Sequence, residues 1–173
     1  MWEVRQVRVD DAERFLDLNL ALDRESEMML LEPGERRADV EHQRLALERL
    51  SQSSTDILWV AVDGTSLAGY LALARPSARR ARHRASVVVG VRASHQRRGV
   101  ASGLFATSEA WARSNGILRL ELSVLMHNEP ARRLYERLGF VSEGIRRGSL
   151  CIGGSLLDEV MMAKSLAHAE DSP

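Results

Sequence analysis

The segment Gln96-Arg97-Arg98-Gly99-Val100-Ala101 has a composition suited to binding an anion. It lies between an apolar stretch of strand length, Ser86 to Val91, and a helical pattern that begins at Val100. A loop that turns from a strand into a helix points the first unpaired N–H groups of the helix outward, together with the positive end of the helix dipole. Glycine admits a ligand to the backbone and the two arginines add charge, although glycine at such a turn also occurs without any ligand.

Two familiar phosphate loops are excluded, because the chain has neither a G-K-[ST] sequence nor a G-x-G-x-x-G sequence here. What remains is Q-x-x-G-x-A, followed after a predicted strand by an N-x-x-A-x-x-L-Y-x-x-x-G-F pattern at 128–140. The two motifs, in this order, resemble those of the GNAT acyltransferases over roughly Ala85 to Leu166. The resemblance implies acetyl-coenzyme A as the cofactor, with no metal.

In that family the loop holds the cofactor's diphosphate, and the pantetheine arm runs beside the preceding strand like an extra strand. The resemblance therefore implies that the backbone N–H groups from Arg97 to Ser102 are the phosphate donors, and that the Val89 N–H faces the carbonyl oxygen of the thioester. The implied cofactor-binding set is Val89, Val91, Gln96, Arg97, Arg98, Gly99, Val100, Ala101, Ser102, Asn128 and Arg132.

Tyr135 occupies the motif position whose tyrosine acts in the family as a general acid. A thiolate leaving group has a pKa like that of cysteine, about 8.5, and a phenol near 10 is a matched proton donor. The alternative is that Tyr135 is a core residue on the inner face of its helix. Asn128 has a similar pair of interpretations, as a helix cap or as a contact to the pantetheine arm.

The two motifs do not identify a general base. Family members often carry a glutamate on the strand before the phosphate loop, and Ala85 falls nearest to that place here. Glu121, His83, Glu25 and Glu27 are the candidate bases, and Glu121 is the one assigned a catalytic role. Glu25, Glu27 and His83 are candidates for the acceptor side, where a carboxylate could hold an ammonium group, although each could equally be structural or solvent-exposed.

The lack of an obvious strong base bears on which kind of amine can be the acceptor. Deprotonating a lysine-like amine at pH 7 costs about 3.4 pKa units, or roughly 4.6 kcal/mol, whereas an α-amine costs about one unit. The expected acceptor is therefore a primary α-amine of an amino acid or small molecule. A protein N-terminal acetyltransferase, of the ribosomal-protein type, and a non-catalytic acyl-CoA-binding module are the alternatives. No nucleic-acid or membrane partner is expected, and the resemblance is compatible with a homodimer.

Composition agrees with these expectations. The 173 residues suffice for one domain, expected over 1–168 with a loose tail at 169–173, and 24 basic residues balance 24 acidic ones. The chain has one cysteine, Cys151, and no apolar run of membrane-spanning length, so a cytoplasmic location is expected. The arginine-rich stretch Arg75 to Arg84 is either a solvated hairpin tip or a patch that steers an anionic partner.

The elements that must position these residues follow from periodicity and turn signals. The predicted order is strand, two helices, three strands, helix, strand, helix, two strands, which is an α/β fold. The resemblance implies a single-domain GNAT fold, with a mixed, mostly antiparallel sheet of six or seven strands, splayed in the middle, and helices on both faces. The first strand is expected over Glu3 to Val9. The last two, Phe140 to Ile145 and Leu156 to Ala163, are expected to be linked through Gly148 to Gly154.

Overall fold

The computed structural model describes residues 1–167 and contains seven β-strands within them. Every strand that the sequence pattern predicts is present. In chain order the strands are β1 (Glu3–Gln6), β2 (Asp56–Asp63), β3 (Ser66–Ala74), β4 (Arg84–Val91), β5 (Arg119–Leu125), β6 (Val141–Ile152) and β7 (Ser155–Ser165).

Four α-helices occur in the same described residues. They are α1 (Ala12–Glu25), α2 (Val40–Ser51), α3 (Val100–Ser114) and α4 (Glu129–Arg137). Gly139, with φ +90°, follows α4 at the position where the sequence predicts the helix to stop. Short 3₁₀ turns occupy Val9–Asp11, Arg79–Ala81 and Ala93–His95.

The strands form one mixed sheet in the order β1-β2-β3-β4-β5-β7-β6. The β1–β2, β2–β3, β5–β7 and β6–β7 pairs are antiparallel. The parallel pair is β4 with β5, over three residue pairs from Arg84 and Arg119 to Ser86 and Glu121. The predicted α/β class, the element order and the mostly antiparallel seven-stranded sheet are therefore confirmed.

Two boundaries differ from the prediction. The first strand ends at Gln6, because the chain turns into the 3₁₀ segment Val9–Asp11 before α1. The expected linker at 148–154 is mostly strand, since β6 continues to Ile152 and only Gly153 and Gly154 form the turn. A register shift between Arg146 and Leu150 accommodates Gly148, whose φ is +55°, within the ladder.

The chain divides into two compact units by its contacts. The first consists of Met1–Ala74 and Val88–Trp111, and the second of Arg75–Val87 and the chain from Ala112 onward. The predicted division into a domain at 1–168 and a tail stays a prediction, and the tail at 169–173 lies outside the described residues.

The core of the first unit forms where the apolar faces of α1 and α2 meet β2 and β3. Phe15, Leu18 and Leu22 of α1 recur at helical spacing and are buried. Tyr70 of β3 packs edge-on against Phe15, with ring centroids 5.4 Å apart. Asp11 at the start of α1 is fully buried and accepts hydrogen bonds from Arg5 at 2.7 and 2.8 Å, so it is held as an ion pair.

In the second unit, β5 and β7 bury alternate residues. Leu120, Leu122 and Val124 are buried, as their alternation with Arg119, Glu121 and Ser123 predicts. The outer strand β6 is mostly exposed. Within residues 1–167, no helix is long and apolar enough to cross a membrane.

Candidate functional site

The predicted anion-binding loop has two residues in the left-handed region of backbone space. Arg97 has φ +57° and Gly99 has φ +81°. A left-handed arginine is uncommon, whereas glycine adopts this conformation at little cost. The residues from Gln96 to Gly99 are exposed, and Val100 is buried and anchors the start of α3. The Gly103 N–H makes a 2.9 Å hydrogen bond to the Gly99 carbonyl, so the helical ladder starts immediately after the loop.

Trp2 covers the first turn of α3. Its indole Nε1–H donates to the Arg98 carbonyl over 3.3 Å. A Cβ atom at Gly103 would lie 2.6 and 2.8 Å from two carbons of the indole ring, which is closer than non-bonded carbons approach. Gly103 therefore leaves the space that the indole occupies. The sequence alone does not reveal this role of Trp2, because no spacing pattern connects residue 2 with residues near 100.

The 3₁₀ turn before the loop is tied to the rest of the first unit. The backbone N–H of Ala93 donates to Glu25 over 2.8 Å. His95 Nε2 lies 3.0 Å from Asp63, whose other carboxylate oxygen is 3.2 Å from the Met1 ammonium. The hydrogen bond with His95 is the main cause that lowers the pKa of Asp63. Glu25, predicted for the acceptor side, thus contacts the turn that leads into the loop.

The strand that precedes the loop approaches α1 closely. A Cβ atom at Gly90 would lie 2.6 Å from Leu22 and 3.1 Å from Tyr70, so only glycine fits without a shift. Val89 and Val91 on either side are partly buried. The side-chain amide of Gln96 donates to the Val91 carbonyl over 3.4 Å, which joins two of the predicted cofactor-binding residues.

Tyr135 lies on α4 in the second unit and is buried. Its ring is tilted by 58° against Phe140, with centroids 6.0 Å apart. Burial raises the pKa of the Tyr135 phenol to about 12, because desolvation disfavours the phenolate. The phenol therefore keeps its proton at neutral pH and is a weaker acid than an ordinary phenol, whose pKa is near 10.

Two other motif residues are near the start of α4. The Asn128 side chain accepts a 3.3 Å hydrogen bond from the Ala131 N–H, which is the geometry of a helix cap. Arg132 donates through Nη1 to the Met126 carbonyl over 3.0 Å. Its Nε atom is buried and has no hydrogen-bond partner among the described residues. The Nε–H of Arg132 is therefore an unsatisfied donor in a buried position.

A cavity of about 370 Å³ lies in the second unit and is lined by residues of β4, β5, β6 and β7. An ion-pair network crosses its wall. Glu121 accepts hydrogen bonds from Arg84 at 2.6 Å and from Arg119 at 2.7 Å, and Arg119 also pairs through two nitrogens with Glu143. Met161, Met162, Leu122 and Val87 supply the apolar part of the lining.

Glu121, the predicted catalytic carboxylate, lies in this network. Burial alone would raise the pKa of Glu121, but the hydrogen bonds from Arg119 and Arg84 and their positive charge bring it below its usual value. The Arg119 hydrogen bond likewise lowers the pKa of Glu143. A carboxylate held in this way is ionised at neutral pH and has low affinity for a proton.

The other candidates have fewer contacts. His83 and Glu27 are exposed, and the His83 carbonyl accepts the N–H groups of Leu118 and Arg119 at 2.7 and 3.1 Å. Ala85, at the place where relatives often carry a glutamate, is fully buried. Among residues 1–167, no group of three or more histidine, cysteine, aspartate or glutamate side chains is arranged to hold a metal ion.

The predicted site residues are thus divided between the two units. Glu25, Glu27, Val89, Val91 and the loop 96–102 belong to the first unit. His83, Glu121, Asn128, Arg132 and Tyr135 belong to the second. The exposed loop backbone and the two arginines of the first unit supply the donors that a diphosphate requires, so this donor set fits the diphosphate of coenzyme A.

Comparison with known proteins matches residues 22–140 to the family model described as Acetyltransferase (GNAT) family. Among curated protein sequences, a search finds no match. The fold is similar to several solved structures. An acetyltransferase of the GNAT family from Streptococcus pneumoniae has a TM-score of 0.90 at 23% identity, covering 96% of this chain and all of that one.

A protein from Salmonella typhimurium, solved with its cofactor acetyl-CoA, has a TM-score of 0.85 at 18% identity, with 100% of this chain and 98% of that one covered. A ribosomal-protein-alanine N-acetyltransferase from Brucella melitensis has a TM-score of 0.83 at 20% identity, with 95% and 99% covered. At these identities the structural likeness establishes the fold, and the family model establishes the membership.

Proposed function

Because the chain belongs to the GNAT acetyltransferase family, and is thus an enzyme that transfers acetyl groups from acetyl-CoA, we propose that its acceptor is an α-amine of an amino acid or other small molecule. The observation that carries this proposal is the weakness of the available bases. Ala85 replaces the usual glutamate, and Glu121 is clamped by Arg84 and Arg119 with a lowered pKa.

The free-energy cost of deprotonating the acceptor at pH 7 favours an amine of low pKa. A lysine-like amine must give up a proton with a pKa about 3.4 units above neutral, a cost of roughly 4.6 kcal/mol. An α-amine at a peptide terminus has a pKa near 8, about one unit above neutral, and costs roughly 1.4 kcal/mol. In a free amino acid the neighbouring carboxylate favours the ammonium form, so the cost lies between these two values. A site without a strong base therefore favours a chain-terminal α-amine over a lysine-like amine by about 3 kcal/mol, more than a hundredfold in the fraction of reactive amine, and favours a free amino acid by less.

We further propose that the loop 96–102 binds the diphosphate of acetyl-CoA, which supplies the acetyl group as an activated thioester. The backbone N–H groups at the start of α3 and the side chains of Arg97 and Arg98 donate to phosphate oxygens. Charge-assisted hydrogen bonds contribute about 1.5 to 3 kcal/mol each, so three or four of them account for most of a micromolar affinity. Val89 offers its backbone N–H to the carbonyl oxygen.

We propose that Tyr135, the general acid that the resemblance implies, acts on the leaving sulfur. With a pKa of about 12, its phenol is in the protonated form that a donor requires. The phenol is about 3.5 units less acidic than a thiol with a pKa of 8.5, so complete proton transfer to the leaving sulfur would cost roughly 4.8 kcal/mol. Tyr135 therefore acts by donating a hydrogen bond to the sulfur as negative charge develops, and the charge of the departing thiolate is stabilised without a free phenolate.

A protein N-terminus is the second candidate acceptor, because it presents an α-amine near pKa 8. The same weak bases support this alternative. The similarity to a ribosomal-protein-alanine N-acetyltransferase gives a reason to test it, although that substrate belongs to the similar protein. Peptides and free amino acids then separate the two.

The test is a panel of acceptors assayed with acetyl-CoA through thiol release at pH 7. Free amino acids are expected to react faster than lysine side chains or polyamines, and faster than peptides with matching N-terminal residues. Faster reaction of peptides would favour the alternative, and faster reaction of polyamines would contradict the proposal. In the same assay, Tyr135→Phe is expected to lower kcat by about 100- to 1,000-fold, because it removes one hydrogen-bond donor to the developing charge.

Two measurements make the Tyr135 result interpretable. Coenzyme A affinity, by calorimetric titration, and the free energy of unfolding should both stay close to those of the wild-type protein. Unchanged turnover in Tyr135→Phe would show that the phenol only packs in the core.

A further inference from the structure

The cavity of the second unit has an imbalance between its hydrogen-bond donors and acceptors. Its two carboxylates are already engaged, since Glu121 accepts from two arginines and Glu143 accepts from two nitrogens of Arg119. The guanidinium of an arginine has five N–H donors. In the described part of the chain, Arg84 uses one of them, on Glu121. Each carboxylate thus already has an arginine partner, while Arg84 keeps further N–H donors.

Arg146 is the second source of unused donors. Its Nη1 lies 3.4 Å from Glu159, a long contact, and 57% of its side chain is exposed. The hydroxyl groups of Ser86 and Ser123 also border the cavity, and neither hydrogen-bonds to another residue within 1–167. Three arginines against two glutamates give the lining a positive charge, which Glu159 balances only from outside the lining.

From these observations we infer that the cavity binds the carboxylate of the acceptor, with Arg146 and Arg84 as the charged donors and the serine hydroxyls beside them. This inference rests on the proposed function and narrows it, because it selects free amino acids over other α-amines. A volume of about 370 Å³ accommodates a molecule of that size. Met161 and Met162 present a flexible apolar wall to the amino-acid side chain.

The same charges reject other acceptors. A polyamine would place a second ammonium group beside the guanidinium groups of Arg84 and Arg146. Both carboxylates of the cavity, Glu121 and Glu143, are already paired with arginine. Repulsion between these like charges opposes binding, so the cavity separates amino acids from polyamines by repulsion as well as by attraction. The proposed site therefore takes a molecule with one amine and one carboxylate.

Three acceptors that share a side chain isolate the carboxylate: L-leucine, L-leucinamide and 3-methylbutylamine. Rates are compared per fraction of unprotonated amine, because the three amines differ in pKa. In the wild-type protein, kcat/KM for leucine is expected to exceed that for the other two by at least tenfold, through a lower KM. Equal values for leucine and leucinamide would overturn the inference.

Arg146→Gln is the decisive variant, since the exposed side chain carries little of the fold. Losing a charge-assisted hydrogen bond should raise the KM for leucine by about 10- to 100-fold and leave leucinamide within threefold. Arg147→Gln is the matched control. Arg147 is the next residue on β6, its side chain is 81% exposed, it pairs with Asp158, and it does not line the cavity. A similar loss for leucine and leucinamide in Arg146→Gln would refute the carboxylate role.

Calorimetric titration of leucine and leucinamide into the protein with coenzyme A bound separates this inference from the proposed function. If no amine is acetylated, the proposed function fails, and selective leucine binding that Arg146→Gln abolishes still supports the anion site. If amines are acetylated without preference for the carboxylate and leucine binds no better than leucinamide, the proposed function stands and this inference fails.

Discussion

The contact between Trp2 and Gly103 predicts that Gly103→Ala destabilises the wild-type protein but stabilises a variant that lacks the Trp2 ring. In the wild-type protein, the Cβ atom of Gly103→Ala would lie 2.6 Å from the Trp2 ring, and the indole must move. Overpacking of this kind costs about 1 to 3 kcal/mol. Alanine is also about 1 kcal/mol better than glycine inside a helix, so the net change in the free energy of unfolding is expected to be a loss of about 0 to 2 kcal/mol.

In a Trp2→Ala background the obstruction is gone. Gly103→Ala should then stabilise the protein by about 1 kcal/mol, through helix propensity alone. The double-mutant cycle is therefore expected to give a coupling energy of about 1 to 3 kcal/mol. Urea denaturation of the four proteins, followed by circular dichroism, measures it.

The same cycle has a functional readout, because Trp2 also donates to the Arg98 carbonyl in the loop 96–102, the proposed diphosphate site. A net hydrogen bond is worth about 0.5 to 1.5 kcal/mol, so each single variant should weaken coenzyme A binding by roughly two- to tenfold. If Gly103→Ala stabilised both backgrounds equally and left coenzyme A affinity unchanged, the indole would not occupy the position described, and the reasoning would be refuted.

Three further predictions concern titration and the loop. The pKa of Asp11 is lowered to about 2, because hydrogen bonds from Arg5 and the Arg8 N–H outweigh the effect of burial. The ionised carboxylate therefore stabilises the fold above pH 4. About 2 kcal/mol of the free energy of unfolding should be lost as the pH falls from 5 to 2. Urea denaturation across this range should show a shallower slope for Asp11→Asn, and parallel slopes would contradict the ion pair. Because burial raises the pKa of Tyr135 to about 12, its ionisation should produce no descending limb in kcat/KM below pH 10, and a limb there that Tyr135→Phe removes would show that the pKa is lower. Since Glu25 accepts the Ala93 N–H, Glu25→Ala should weaken coenzyme A binding by up to about tenfold, while the affinity of Glu25→Gln should stay within threefold of the wild-type value. A Glu25→Gln variant with normal coenzyme A affinity but no turnover would instead indicate that Glu25 binds the acceptor.

Local patterns in the sequence determined the framework of this protein. The strand and helix order follows from residue periodicity over windows of ten or so residues, and the loop and α4 motifs follow from spacing within 96–101 and 128–140. These signals are short-range, because each element is selected by propensity, caps and turn residues close to it in the chain. The limits of β6 were wrong, since Gly148 reads locally as a turn and only pairing with β7 keeps it in a ladder.

Only the tertiary structure decided which charges and rings meet. Trp2 lies on Gly103, Arg84 and Arg119 clamp Glu121, and burial raises the pKa of Tyr135. The Trp2–Gly103 and Arg84–Glu121 contacts join residues that are far apart in the chain, and the burial of Tyr135 depends on packing around it, so no local pattern encodes them. Arg119 and Glu121 are near neighbours, but their shared partners Arg84 and Glu143 are not. The sequence thus identifies the family and its motifs, whereas side-chain packing across the sheet sets the strength of each acid, base and ion pair.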